Sequence, residues 1–230
     1  MCYQNKTLLE IFNSRNDISE YVFHFTKSAT ARESFNSIIQ SKAIKDINGN
    51  GYICFTESPI TMMSDMFDLF SRYPEPMYAP YGIGIKKEEF FKMGGRPVIY
   101  GTEEDGEKLK SIDMGWRFEL LKPKIHDFSW LREWRIEKSQ IDLNIDNCIT
   151  VVPTIKDELD LVFNLHDIDI DAEPEDGGST IFYHGEFNRI FKCITIEKIK
   201  ELKLLSNQEI EEQLKQCNEQ ESIFLGSEWK

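Results

Sequence analysis

A chain of 230 residues suits one large domain, or one domain with a small appendage. Hydrophobic residues make up 40% and charged residues 29%, and sixteen Phe with four Trp supply the bulk of a packed core, which excludes a largely disordered chain. The net charge of −13 comes with no Lys/Arg run beyond short clusters such as Lys122/Lys124, which disfavours stable nucleic-acid binding and leaves open a transient nucleic-acid substrate. The acidity suits a basic protein partner about as well as it suits plain solubility.

The cysteines are Cys2, Cys54, Cys148, Cys193 and Cys217, odd in number and without a CxxC pair. Zinc ligands usually come in close pairs, so no metal site is expected, and free thiols fit a reducing cytosol. No apolar run reaches the roughly 18 residues of a membrane helix, and the N-terminus lacks a signal-like apolar region. A cytoplasmic protein without a membrane segment is expected.

In chain order, residues 1–20 read as a short helix (Leu8, Leu9, Ile11, Phe12) and a polar turn. Tyr21–Thr26 (YVFHFT) is a first strand. A helix follows with Thr30 and Glu33 at capping-box spacing and Ala31, Phe35, Ile38 and Ile39 on one face. Asp46–Gly51 is a turn, and Tyr52–Thr56 (YICFT) a second strand ended by Pro59. Residues 60–72 are helical in pattern, and Pro74, Pro76 and Pro80 make 73–80 a loop. Tyr81–Ile85 (YGIGI) is a strand, Lys86–Lys92 a helical turn, Arg96–Tyr100 (RPVIY) a strand and Glu103–Lys110 a solvated helix or loop. Trp130–Ile136 (WLREWRI) and Cys148–Val152 (CITVV) read as strands, and Lys156–Leu165 as a helix. Residues 167–179 form an acidic, mobile excursion. Ile181–Tyr183 and Lys192–Ile196 are extended, and 196–205 and 207–217 helical. The pattern predicts an α+β domain over 1–205 with a C-terminal helical extension over 206–230.

Three constellations offer chemistry. His24 and Thr26 share one side of a strand end, where an imidazole and a hydroxyl can hold a ribose or a carboxamide; a histidine satisfied by backbone is the plainer alternative. Tyr52 and Phe55 lead into Thr56-Glu57-Ser58, rings and polar groups that suit a flat cofactor, or equally a core strand before a helix N-cap. Arg132-Glu133-Trp134-Arg135 sets a carboxylate between arginines, with Glu133 and Arg135 pointing the same way. Glu133 then either stabilises an oxocarbenium-like ribose or forms a structural ion pair.

The order HFT, CFTESP, YGIGIKKE, GRPVIY and REWRI over residues 21–136 resembles the AbiGi-type abortive-infection family, with a pattern similar to DarT-type ADP-ribosyltransferases. The resemblance implies a split mixed β-sheet flanked by helices, with NAD⁺ as substrate and no metal. It implies that His24 and Thr26 bind NAD⁺, that Tyr52 and Phe55 line the nicotinamide pocket, and that Glu133 is catalytic. Where DarT-type enzymes carry an arginine in the strand-end motif this chain has Glu57, so Arg96 or Arg135 must replace it. The implied roles are an NAD-handling transferase in antiphage defence, with a macromolecular acceptor, or a catalytically silent sensor or antitoxin module of the same fold. All three sites are expected to meet in one cleft.

Other motifs fail on their chemistry. Asp167-x-Asp169-x-Asp171 begins like a calcium loop but has Ala172 and Gly178 where glycine and glutamate are required. Gly82-x-Gly84 lacks the third glycine of a dinucleotide loop. His126, His166 and His184 lack metal-ligand spacing, and Asp157, Glu158 and Asp160 fit the solvated face of a helix better than a nuclease site.

Overall fold

The computed structural model describes Leu8, Ile11, and residues 19–144, 146–162, 169–175, 178–184 and 192–216, with only the backbone described for 169–184. The strand-like segments of the sequence assemble around β1 (Tyr21–Phe25). Its neighbours are β3 (Ile53–Thr56) and β4 (Gly82–Lys86), both antiparallel to it. The sheet extends through β8 (Glu133–Ile136) and β5 (Arg96–Pro97) on one side, and through β10 (Cys148–Val152) and β13 (Lys192–Thr195) on the other. Its order is β13-β10-β4-β1-β3-β8-β5, and the β10–β13 pairing is its one parallel pairing. The class is α+β.

Alternation along each strand builds a core on either face. Tyr21, Phe23 and Phe25 pack with Ile149, Val151 and Ile194 beneath α2 (Ile60–Phe70) and α6 (Ile196–Leu202). Ile210, in the helical run 207–216, is buried in the same cluster. The opposite face carries Val22, Ile53, Phe55, Ile83, Ile85 and Ile136, covered by Phe35 of α1 (Ala31–Ser41) and Phe90 of α3 (Lys87–Lys92). Each of these large side chains contributes roughly 1.5–3 kcal/mol by leaving water. The two are called below the α2 face and the α1 face.

The Gly-Ile-Gly of β4 makes room on the α2 face. A Cβ at Gly82 would lie 2.4 Å from the Phe25 ring, and one at Gly84 would lie 2.7 Å from Phe23 and 2.8 Å from Ile149. Ile83 and Ile85 meanwhile fill the α1 face.

Several local expectations are corrected. Thr30 does not cap α1; its hydroxyl bonds Ser28 at 3.1 Å, and the side chain makes no N-cap bond. A complete capping box is found instead at Thr102 and Asp105, opening α4 (Glu103–Lys110). A short β2 (Ala43–Lys45), absent from the sequence reading, pairs with β9 (Gln140–Asp142). The single strand expected over Arg96–Tyr100 is two. β5 joins the main sheet, and β6 (Ile99–Gly101) pairs in parallel with β7 (Phe118–Leu120). Trp130 and Leu131 belong to a 3₁₀ turn, Ser129–Leu131, and Arg132 is left-handed at φ 46°, so β8 starts at Glu133. Within the acidic excursion, β11 (Asp169–Glu175) pairs antiparallel with β12 (Gly178–His184), a pairing the sequence reading did not include. α5 covers Ile155–Val162. Most of the expected N-terminal helix lies outside the described residues, of which Leu8 and Ile11 are helical. Among the described residues no helix is long and apolar enough to cross a membrane.

Candidate functional site

Two of the segments singled out in the sequence, TESP and WLREWR, are stitched together. The Thr56 hydroxyl donates to the Leu131 carbonyl and the Ser58 hydroxyl to the Trp130 carbonyl, each at 2.5 Å. The Ser58 amide donates to Thr56 Oγ1, and the Glu57 amide to the Arg132 carbonyl. Carbonyls at the end of a 3₁₀ turn have no partner within the turn, and side-chain hydroxyls supply it here. The Glu133 amide donates to the Tyr100 hydroxyl at 3.1 Å, and that hydroxyl donates to the Phe128 carbonyl.

Register then decides what meets. Thr56 pairs with Glu133 and Cys54 with Arg135, while Thr56 also faces Phe23 of β1. Cys54, Thr56, Glu133 and Arg135 therefore all project to the α2 face. Arg135 is buried there and its donors are well occupied. Nε donates to Glu133 at 2.7 Å, Nη2 to Glu119 at 2.5 Å, and Nη1 to the Trp116 and Phe118 carbonyls. Its guanidinium carbon lies 4.5 Å above the Tyr52 ring. Burial opposes the arginine's charge, but the Glu133 hydrogen bond and charge outweigh it and hold its pKa above the ordinary value. Burial, then the Glu133 charge, push the Cys54 thiol up to about 12, so it is a neutral thiol. Tyr78 is raised by burial first and by Glu133 next. Tyr52 and Tyr100 are raised chiefly by burial.

His24 points the other way. Neighbouring Phe23 shares the α2 face with Thr56, so the imidazole lies on the α1 face, its ring 5.5 Å from Phe55. Its Nδ1 donates to the Cys54 carbonyl at 2.8 Å. Burial lowers its pKa, against that hydrogen bond and with help from Lys27. The Thr26 hydroxyl donates to the Tyr81 carbonyl at 3.0 Å, and its backbone bonds Tyr81 and Ala79, which ties the 73–80 loop to β1. Phe55 packs on Phe90, ring centroids 4.4 Å apart. Glu57, the departure from the DarT-type pattern, bonds Lys87 at 2.8 Å and the Trp134 indole at 2.6 Å. Arg96 sits at the sheet edge, donating to the Phe91 and Gly95 carbonyls with its guanidinium 4.1 Å from the Phe91 ring.

The expected single cleft is thus not formed. Tyr52, Glu133 and Arg135 come together on the α2 face, His24 and Phe55 stand on the α1 face, and Thr26 and Arg96 are engaged with backbone elsewhere. The cause is the two-residue period of a strand. Glu119, Tyr78, Tyr100 and His126, whose Nε2 lies 3.2 Å from Glu119, were not found in the sequence. Glu119 sits in a three-residue strand with no periodicity to flag it.

No protein-family model, curated protein or solved structure matches the chain. Among the described residues, no group of three or more His, Cys, Asp or Glu is arranged to hold a metal ion.

Proposed function

We propose that this protein is a catalytically silent binding module, the sensor or antitoxin half of an antiphage defence pair, rather than an NAD⁺-cleaving enzyme. The observation that carries the reading is the role of Glu133. Its carboxylate is the 2.7 Å partner of a buried arginine, on the sheet face opposite His24. A carboxylate already neutralised by a guanidinium has little field left for a developing oxocarbenium ion. The defence setting rests on the abortive-infection pattern over residues 21–136, and the α+β frame is compatible with it.

One observation favours the competing reading, an ADP-ribosyltransferase-like split sheet that takes NAD⁺ as substrate. β1 and β3 share a single bridge, Phe23–Thr56, and the His24 ring bonds a β3 carbonyl just beyond it. Strands that part there would open a cleft at the His24 side. The deciding experiment is incubation of the purified protein with NAD⁺, alone and with candidate protein and nucleic-acid acceptors. No nicotinamide release is expected. Release that disappears in a folded Glu133→Gln variant would replace the module with the transferase.

A further inference from the structure

β5 ends the main sheet, and arginines rather than another strand cover its outer edge among the described residues. Arg96 pairs with Arg135, and the Val98 amide donates to the Glu133 carbonyl, so the backbones of residues 96 and 98 turn toward β8. Alternation along a strand then turns the carbonyls of Gly95 and Pro97 outward. Two guanidiniums meet them there. Arg96 Nη1 donates to the Gly95 carbonyl at 2.7 Å. Arg117 donates to the Pro97 carbonyl through Nη2 at 3.1 Å and Nε at 3.2 Å. Carbonyls two residues apart repeat at about 6.5 Å along a strand, which sets the two guanidiniums side by side.

Both heads are held in place. Arg96 lies 4.1 Å over the Phe91 ring and also donates to the Phe91 carbonyl. Arg117 closes the 3₁₀ turn Gly115–Arg117, which Arg135 ties down through the Trp116 carbonyl. Their charges are not neutralised. Although the chain carries 40 acidic residues, neither Arg96 nor Arg117 has an ion-pair partner among the described residues. Burial lowers the Arg117 pKa, and the nearby Arg96 charge lowers it further. Nε and Nη2 of Arg96 and Nη1 of Arg117 have no acceptor among the described residues. Two fixed forks with spare donors and no carboxylate suit an oxyanion.

We propose that the outer edge of β5 carries a phosphate-binding site, with the anion bridging Arg96 and Arg117. A carboxylate has two oxygens, and a single guanidinium fork fills them. A phosphate group has three free oxygens and a charge of about −1.5 to −2 at pH 7, enough to engage both forks. The phosphate belongs either to a free small molecule or to a phosphorylated side chain of a protein partner. The site lies apart from the Glu133 network and does not depend on whether the chain turns over NAD⁺.

The test is a calorimetric titration of the full chain at constant ionic strength with inorganic phosphate, a phosphoserine peptide, the same peptide unphosphorylated, and acetate. The arginine Nε–H signals are followed by NMR during the phosphate titration. Saturable phosphate binding on the order of millimolar is expected, with acetate and the unphosphorylated peptide at least about tenfold weaker. Shifts of the Arg96 and Arg117 signals locate the anion in the wild type without any substitution. Arg96→Gln and Arg117→Gln should each weaken binding about tenfold, and Arg117→Lys should weaken it too, because it keeps the charge and loses the fork. Tighter binding of the phosphopeptide than of inorganic phosphate assigns the site to a protein partner, and equal or weaker binding assigns it to a small molecule. Flat phosphate titrations, acetate binding as tightly as phosphate, or wild-type affinity in both glutamine variants overturn the site. If the arginines only block the sheet edge, the glutamine variants self-associate in sedimentation velocity while the wild type takes up no phosphate, and that result also overturns it.

Discussion

Arg135 is the residue on which the site depends, and Glu133 is the partner that the sequence itself exposed. Two residues apart on a strand, they had to point the same way, so the pair was legible from spacing alone. Glu119 was not, because its approach needs β7 to be delivered against β8 by a distant pairing. Removing one partner of a buried ion pair strands the other charge. Glu133→Gln should therefore lose about 3–5 kcal/mol, towards the lower end because Glu119 remains. Urea unfolding of the two proteins measures it, and an unchanged midpoint would leave Glu133 without a structural role. His24 gives a second residue-scale outcome. Its pKa is depressed in the fold, whereas the unfolded imidazole titrates near 6.5. Below about pH 6.5 the unfolded chain therefore binds the proton more readily, so His24's contribution is complete above that pH and declines as pH falls toward the folded value. His24→Asn, whose amide can replace Nδ1 at the Cys54 carbonyl, should flatten the loss of stability as pH falls below about 6.5. An identical slope in the variant would assign the loss to other groups.

At the scale of elements, the long patterned segments carry their own identity and the short ones borrow it. β1, β3, β4 and β10 were legible because alternating or continuous β-branched and aromatic residues are bounded by turn signals. β2 was not, because Ala43–Lys45 becomes a strand through β9, nearly a hundred residues later. The break between β5 and β6 was missed because RPVIY reads as one run, yet the chain leaves the main sheet after Pro97, whose nitrogen cannot donate to a ladder. The acidic run of β11 was read as an excursion because charge obscured its pairing with β12. The glycines of β4 were read against a nucleotide loop they do not form; their physical reason is the space claimed by Phe23 and Phe25. Gly84→Ala should accordingly cost about 1–3 kcal/mol through overpacking against Phe23 and Ile149. Because a smaller neighbour relieves the crowding, Phe23→Leu combined with Gly84→Ala should lose less than the sum of the single changes. Strict additivity in a double-mutant cycle would show that the two side chains do not compete for that volume.

At the scale of the whole molecule, a seven-stranded sheet carries a packed core on each face, and that geometry governs its chemistry. Each local reading of the candidate residues was reasonable: a histidine at a strand end, a carboxylate between arginines, aromatic rings before a turn. What the sequence could not supply was which face each one would occupy, since this depends on the antiparallel registers of β1 with β3 and β3 with β8. Once set, those registers separate His24 from Glu133 by the thickness of the sheet and direct Glu133 to a structural partner. The consequence is measurable on wild type, His24→Ala and Glu133→Gln, each followed for nicotinamide release and thermal unfolding on the same sample. The wild type should release none, and millimolar NAD⁺ should leave its melting temperature unchanged, because a ligand that binds the native state raises it. Glu133→Gln should melt earlier for the reason given by Arg135. His24→Ala should change neither NAD⁺ response, because the imidazole works on the other face as a hydrogen-bond donor to Cys54. A catalytic carboxylate would give the opposite pattern: wild-type turnover falling about 10²–10³-fold in a Glu133→Gln variant that still folds, and a parallel loss in His24→Ala. That result would require the two residues to reach one substrate around the parted end of β1 and β3, and it would end the binding-module reading.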